Sequence, residues 1–157
     1  MNGVIKHEFV VEEWEVDELS SDDQKLLEAA FQACSHAYAP YSKFKVGSAV
    51  MLESGQIVRG SNQENSAYPS GLCGERVSFF AAAAQYPGET IVAAAVVTDC
   101  DMDVQHFSPC GGCRQVMLES EQRQNKPIRF LMQTRTSSVI VSPNVQQFLP
   151  LNFRLPT

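Results

Sequence analysis

Thr90-Ile91-Val92-Ala93-Ala94-Ala95-Val96-Val97-Thr98 is a run of β-branched residues and alanine, without charge and without polar alternation. A half-exposed strand would alternate apolar with polar residues, so this run reads as a strand covered on both faces. Helices packed on both sides of a sheet provide that cover, which makes a layered α/β domain the expectation. The neighbouring segments agree. Upstream, Val77-Ser78-Phe79-Phe80-Ala81-Ala82-Ala83-Ala84 is a strong helix former that ends before Pro87-Gly88. Downstream, a polar loop leads to Pro109-Cys110-Gly111-Gly112-Cys113, and a helix is predicted from Cys113 to about Glu121.

Further out, Val46–Leu52 and Ile57–Ser61 flank Glu53-Ser54-Gly55-Gln56, the signature of a hairpin with glycine in the turn. Ile128–Gln133 and Val139–Val141 read as short strands, and Ser142-Pro143 before Val145, Phe148 and Leu149 predicts a capped short helix with proline at its first position. Near the start, Ser21-Asp22-Asp23-Gln24 has the form of a capping box. Leu26, Leu27, Ala30, Phe31 and Cys34 then recur at helical spacing, predicting a helix from Asp22 to Ala37 that Ala39-Pro40-Tyr41 ends. Ile5–Leu19 alternates loosely and is rich in acids, as expected of an extended, partly exposed arm. The expected architecture is a three-layer α/β/α sandwich around a mixed sheet of about five strands, with residues 1–20 as an acidic arm and 21–157 as a single domain.

The chain has 157 residues, 44% of them hydrophobic, which is room for one continuous core and no second catalytic domain. Twelve Lys and Arg against eighteen Asp and Glu give a net charge of −6, which disfavours a nucleic-acid partner because cationic side chains supply most non-specific affinity for phosphates. Ile91–Val97, the longest purely apolar stretch, falls far short of the roughly 20 residues that a membrane-spanning helix needs. Met1-Asn2-Gly3-Val4-Ile5-Lys6-His7-Glu8 lacks the basic start and apolar run of a secretory signal. Five cysteines, three of them at motif spacing, suit metal ligation in a reducing compartment better than a disulfide framework, so the cytoplasm is expected.

Cys110 and Cys113 are three apart, so in a first helical turn both sulfurs face one side and can meet one tetrahedral ion. Cys73, at the entrance to the preceding helix, can supply a third ligand and leave a fourth position for water, the open arrangement of a catalytic zinc. Three thiolates weaken such an ion as a Lewis acid. Two helix N-termini and the guanidinium of Arg76, one turn after Cys73, can offset that charge. Glu75 converges with Cys73 only if Cys73 precedes the helix proper, and it could then act as general base. A lone Cys-x-x-Cys could instead be a redox pair or half of a structural zinc knuckle, and the chain a zinc-stabilised binding module. Pro109, Arg114-Gln115 and the third cysteine with its glutamate favour catalysis. Cys34 and Cys100 lie outside both motifs and read as buried small hydrophobes. His7, His36 and His106 are the remaining ligand types, with His106 the nearest in sequence to Cys110.

Cys73-Gly74-Glu75-Arg76 and Pro109-Cys110-Gly111-Gly112-Cys113-Arg114-Gln115 resemble the signature of the zinc nucleoside deaminases. Ala39-Pro40-Tyr41-Ser42-Lys43-Phe44-Lys45-Val46-Gly47 and Asn62-Gln63-Glu64-Asn65-Ser66-Ala67-Tyr68-Pro69 are similar to the small homotetrameric cytidine deaminases, over about Leu26 to Phe153. The resemblance implies one zinc per chain on Cys73, Cys110 and Cys113, with Glu75 shuttling protons while cytidine or deoxycytidine is hydrolysed to uridine or deoxyuridine and ammonia in pyrimidine salvage. It also implies that Asn62 and Glu64 bind the ribose hydroxyls, that the Gly74 N–H meets the base carbonyl, and that the Ser108 carbonyl accepts the amine. Phe44 is placed against the pyrimidine or sugar, and Phe153 of a neighbouring subunit over the base. Arg76 and Gln115 fall behind the ligands. The implied assembly is a homotetramer with shared sites, acting on a small nucleoside with neither nucleic acid nor membrane as partner. Gly74 departs from the family's usual alanine, and the arm has no counterpart in its shortest members. Within the superfamily, a deaminase of the cytosine-containing antibiotic blasticidin S is the nearest alternative, against which Glu64 and Arg76 lean.

Overall fold

The uncharged run of β-branched residues and alanine is a central strand, β4 (Ile91–Thr98), with almost every side chain buried. A computed structural model describes residues 3–155; Met1, Asn2, Pro156 and Thr157, the outermost positions of the expected arm and domain, lie outside them. Beside β4 run β2 (Val46–Leu52), antiparallel, and β5 (Arg129–Gln133), parallel. The hairpin partner β3 (Ile57–Ser61) closes one edge, and Gly55 in its turn takes a left-handed φ of 85°. β6 (Val139–Ser142) continues the sheet beyond β5.

Successive residues of each strand enter opposite cores. Ala49 and Met51 of β2, with Ala93, Ala95 and Val97 of β4, pack beneath α1 (Ser21–Ser35). Val50, Leu52, Ala94 and Val96 pack on the other face with Phe79 of α2 (Gly74–Gln85) and Met117 of α3 (Gly111–Gln124). The result is the expected α/β/α sandwich, with strand order β1-β6-β5-β4-β2-β3.

Among the described residues the sheet has six strands where about five are expected. The sixth, β1 (Glu12–Trp14), belongs to the acidic arm and pairs antiparallel with β6, Glu12 opposite Val141 and Trp14 opposite Val139. Val11 and Trp14 are partly buried on opposite faces, each against a different core. Burial so divided leaves only a loose alternation in an acidic segment, too weak to mark a paired strand. Several boundaries also differ, α1 ending at Ser35 rather than Ala37. Ser20, not Ser21, caps α1, its Oγ accepting from Asp23 N at 3.1 Å, while the Gln24 side chain donates to Leu19 O. α3 begins at Gly111 and runs to Gln124, where Asn125 takes a left-handed φ of 52°. The predicted short helix is a 3-10 turn over Val145–Phe148 whose cap is Asn144, with Pro143 outside it.

Two glycines let helices sit close on the sheet, and one of them places the site. A Cβ on Gly47 would lie 2.0 Å from Ala30 O of α1, and one on Gly60 would lie 2.4 Å from Ser78 N and 2.7 Å from Gly74 O of α2. α2 therefore rests its first turns directly on the β3 backbone, and its N-terminus is fixed over the end of the sheet.

Candidate metal centre and active site

Cys73 is the N-cap of α2 and Cys110 the N-cap of α3, with Cys113 in the first turn of the same helix. Neither cap side chain makes a capping hydrogen bond to the backbone of its helix, which leaves both sulfurs available at two adjacent N-termini. Cys73 Sγ lies 3.9 Å from Cys110 Sγ, Cys110 Sγ lies 3.5 Å from Cys113 Sγ, and all three fall within 4.8 Å of one another. Sulfurs about 2.3 Å from a tetrahedral zinc stand about 3.8 Å apart, so the triangle fits that ion. Among the described residues this is the single cluster of metal-ligating side chains. His106 instead faces Asp103 at 3.6 Å on the surface, Cys34 is buried in the core, and Cys100 is half-buried rather than the fully buried hydrophobe expected.

The thiols behave as a crowded set of acids. Hydrogen bonding from Cys113, and then from Arg76, lowers the Cys73 pKa to about 5. The hydrogen bond to Cys73 and burial push Cys113 strongly upward, since a second thiolate is unfavourable beside the first. A divalent cation would remove that conflict, and the unpaired N–H groups of two helix N-termini favour the anions it would hold. Arg76 Nη2 stands 3.8 Å from Cys73 Sγ and 3.5 Å from Gly71 O, while its Nε is buried without a partner among the described residues.

Glu75 follows Cys73 into the first turn of α2 and is 5% exposed. Burial raises its carboxyl to about 7, and the negative Cys73 adds to the rise. A carboxyl near that value can both take and return a proton at neutral pH.

The polar residues nearby hold the backbone as well as facing a cleft. Asn62 Oδ1 accepts from Val46 N at 2.8 Å and its Nδ2 donates to Phe44 O at 2.9 Å, tying the end of β3 to the start of β2. Glu64 Oε2 accepts from the N–H groups of Tyr41 and Ser42 at 2.9 and 3.2 Å. Tyr41, Ser42, Asn62, Glu64, Cys73 and Arg76 line a cleft of about 570 Å³. Phe44 is half-buried against the α2/α3 core, 6.3 Å from Phe107. Gly74 is buried, and a Cβ there would meet Val46 O at 3.2 Å, so alanine fits only if the strand yields slightly.

Of the expected site residues, Phe44, Gly74, Glu75, Cys110 and Cys113 do not line that cleft, and Ser108, Phe153 and Gln115 lie on other segments of the chain. Ser108 is exposed on the loop before Cys110, Phe153 is 68% exposed on the C-terminal tail, and the Gln115 side chain donates to Phe153 O at 3.3 Å and makes no hydrogen bond to a thiol. Arg114, part of the second motif but given no role of its own by the sequence, bonds Pro109 O, Ser108 Oγ and Phe148 O at once. Its place directly after Cys113 is the one local signal it carries.

Comparison with known proteins extends these observations. Residues 20–126 match the family described as the cytidine and deoxycytidylate deaminase zinc-binding region. Over 98 residues the chain is 44% identical to the cytidine deaminase of Halalkalibacterium halodurans, covering 62% of this chain and 71% of that one. Over 103 residues it is 39% identical to the cytidine deaminase of Mycobacterium tuberculosis, covering 64% and 74%. The crystal structure of cytidine deaminase from Burkholderia pseudomallei superposes with a TM-score of 0.72 at 37% identity, covering 82% of this chain and 97% of the other. A matched region that contains the cysteine triangle and Glu75, and neighbours that share the sheet around it, lead to one conclusion: the chain belongs to the cytidine and deoxycytidylate deaminase family.

Proposed function

We propose that the chain hydrolyses cytidine and deoxycytidine to uridine and deoxyuridine, releasing ammonia, with one zinc per chain held by Cys73, Cys110 and Cys113. The observation that carries the reading is the convergence of three cysteine sulfurs from two helix N-termini beside the buried carboxyl of Glu75. When bound, zinc supplies a Lewis acid that makes water acidic enough to ionise near neutral pH.

The remaining work falls to the chain. Glu75 takes a proton from the attacking water and delivers it to N3 of the ring, so that C4 accepts the oxygen and becomes tetrahedral. A second proton, carried by Glu75 from the new hydroxyl to the amine, lets ammonia leave and restores the carbonyl. Water and cytidine thereby become uridine and ammonia. Arg76 balances the thiolate charge, which is why a guanidinium 3.8 Å from Cys73 Sγ supports the reading. The Gly74 N–H, one of the free donors at the start of α2, meets the base carbonyl. Asn62 and Glu64 take the ribose hydroxyls with the lone pairs and hydrogens their backbone contacts leave over, Phe44 lies against the ring or sugar, and the Ser108 carbonyl receives the amine.

Phe153 of a second copy covers the base, and Gln115 supports the tail that carries it. The exposed apolar side chains of Leu151, Phe153 and Leu155 support a homotetramer with shared sites. Pyrimidine salvage in the cytoplasm is the setting that fits a free nucleoside and unpaired cysteines. Cytidine, deoxycytidine, adenosine and blasticidin S, each offered with and without a chelator, test the reading. Loss of absorbance with the first two alone, abolished by the chelator, is expected; turnover of blasticidin S in preference to cytidine, or of none of the four by zinc-loaded protein, overturns it.

A further inference from the structure

Arg114 sits in the first turn of α3 and points back along the chain. Its Nε donates to Pro109 O at 2.7 Å and its Nη2 to Ser108 Oγ at 2.8 Å, gripping the two residues that precede Cys110. Its Nη1 donates to Phe148 O at 3.2 Å, across 34 residues of sequence. A guanidinium holds five N–H donors in a rigid plane, so three bonds to three separate residues fix the loop relative to the 3-10 turn over Val145–Phe148.

That turn is itself braced by the arm. The Phe148 ring is buried, packed edge-on against Phe130 of β5 at 5.4 Å and against Phe9 of the arm at 5.7 Å. Val10 N donates to Gln147 Oε1 at 2.7 Å. Contacts therefore run without a break from the arm through Gln147 and Phe148 to Arg114, and on to Ser108 and Pro109. The family match begins at residue 20, so the arm is a feature of this chain beyond that region.

We propose that Arg114 is a positioning residue for the amine end of the site, braced by the arm through Phe9, and that it sets the direction in which Ser108 presents its carbonyl to the 4-amino group of the nucleoside. This rests on the deaminase reading above. Arg114 touches no reacting atom; it acts through the loop. The consequence is selective: a ligand with a 4-amino group feels a loosened loop, while uridine, with the same sugar and ring but no amine, does not.

The test uses full-length, zinc-loaded protein and three readouts: kcat/KM for cytidine, the competitive inhibition constant of uridine, and zinc per chain. Arg114→Lys keeps the charge but cannot reach three acceptors at once, and is expected to lower kcat/KM for cytidine about 10- to 100-fold, the usual cost of losing an outer support. Uridine inhibition should stay within about threefold of the parent chain, a difference well under one tenfold step of affinity, and zinc should be retained. Phe9→Ala, on an exposed arm residue, should show the same selective loss at about two- to tenfold, the scale of one aromatic pair. It decides the matter if Arg114→Lys fails to fold. Equal losses for cytidine and uridine, loss of zinc, or parental kcat/KM in both variants would overturn the proposal. A parent chain that binds zinc yet leaves cytidine intact would instead sink the deaminase reading.

Discussion

Cys73 Sγ lies 3.9 Å from Cys110 Sγ although 37 positions separate them, and each residue is the N-cap of its helix. Two helices that begin side by side thus bring their positive ends and their thiols to one point. A site built this way depends on all three sulfurs. Cys113→Ser replaces a buried soft ligand with a hard one, and should weaken zinc binding by more than the roughly 10- to 100-fold typical of losing an outer-shell partner. Elemental analysis after gel filtration, one zinc per chain in the parent and much less in the variant, checks it; equal zinc in both would refute the ligand set.

Glu75 stands at the same junction but points its carboxyl where burial raises it to about 7. Glu75→Gln preserves shape and removes the proton carrier. Turnover should fall by about 10²- to 10⁴-fold, the range for positioned acid–base catalysis, while zinc stays bound. Retained turnover with zinc in place would remove Glu75 from the mechanism.

Much of this arrangement is legible in the amino-acid sequence. The hairpin strands cover Val46–Leu52 and Ile57–Ser61 as expected, because hydrophobic runs meet an unambiguous glycine turn at Gly55. The cysteine triangle is legible because Cys110 and Cys113 share a helical turn and Cys73 precedes its own helix. The strand in the arm is not, since its burial depends on an edge that β6 offers from the far end of the chain. The role of Arg114 escapes for the same reason: one of its acceptors, Phe148 O, lies 34 residues away, and no local pattern encodes it.

Glu64 reaches back across 22 and 23 residues to the backbone of Ser42 and Tyr41. Hydrogen bonding by Ser42, then by the Tyr41 N–H, holds its carboxyl below the ordinary 4.5. Because the folded value is depressed, the turn that it stabilises is fully supported above 4.5 and loosens only as pH falls through the lower folded value. A carbon-detected NMR titration should place this carboxyl below 4.5, and a midpoint at or above it would contradict the contacts. Glu64→Gln should raise KM for cytidine about tenfold or more, as expected for losing hydrogen bonds to a charged group, with zinc unchanged.

Glu121 is a buried carboxylate with no part in the chemistry. Its Oε2 accepts from Ile128 N at 2.8 Å and Val145 N at 3.0 Å, and its Oε1 from Gln146 N at 3.3 Å, so α3 is tied to the start of β5 and to the turn that carries Phe148. An amide offers one acceptor oxygen in place of two and turns its own donors toward N–H groups. Glu121→Gln should therefore cost about 1–3 kcal/mol of stability. Denaturant unfolding measures it, and a midpoint unchanged from the parent would show that these bonds carry no net weight.

Gly47 and Gly60 are both places where a helix touches the sheet backbone, but only one of the two helices carries the site. A Cβ at position 60 would stand 2.4 Å from Ser78 N and 2.7 Å from Gly74 O, both backbone atoms, so α2 must move away from β3. At position 47 the clash is with Ala30 O and Cys34 N of α1, which bears no ligand. Each alanine variant should lose about 1–3 kcal/mol or more, the cost of overpacking a rigid contact. Their functional consequences should diverge. Gly60→Ala displaces the helix that begins at Cys73 and Glu75, so its folded fraction should bind zinc more weakly and turn over more slowly. Gly47→Ala should lose stability alone, keeping zinc stoichiometry and kcat in the protein that remains folded. Zinc content and kcat, normalised to the folded fraction at low temperature, separate the two. Equal losses in both variants would mean that the seating of α2 on Gly60 does not set the geometry of the cysteine triangle.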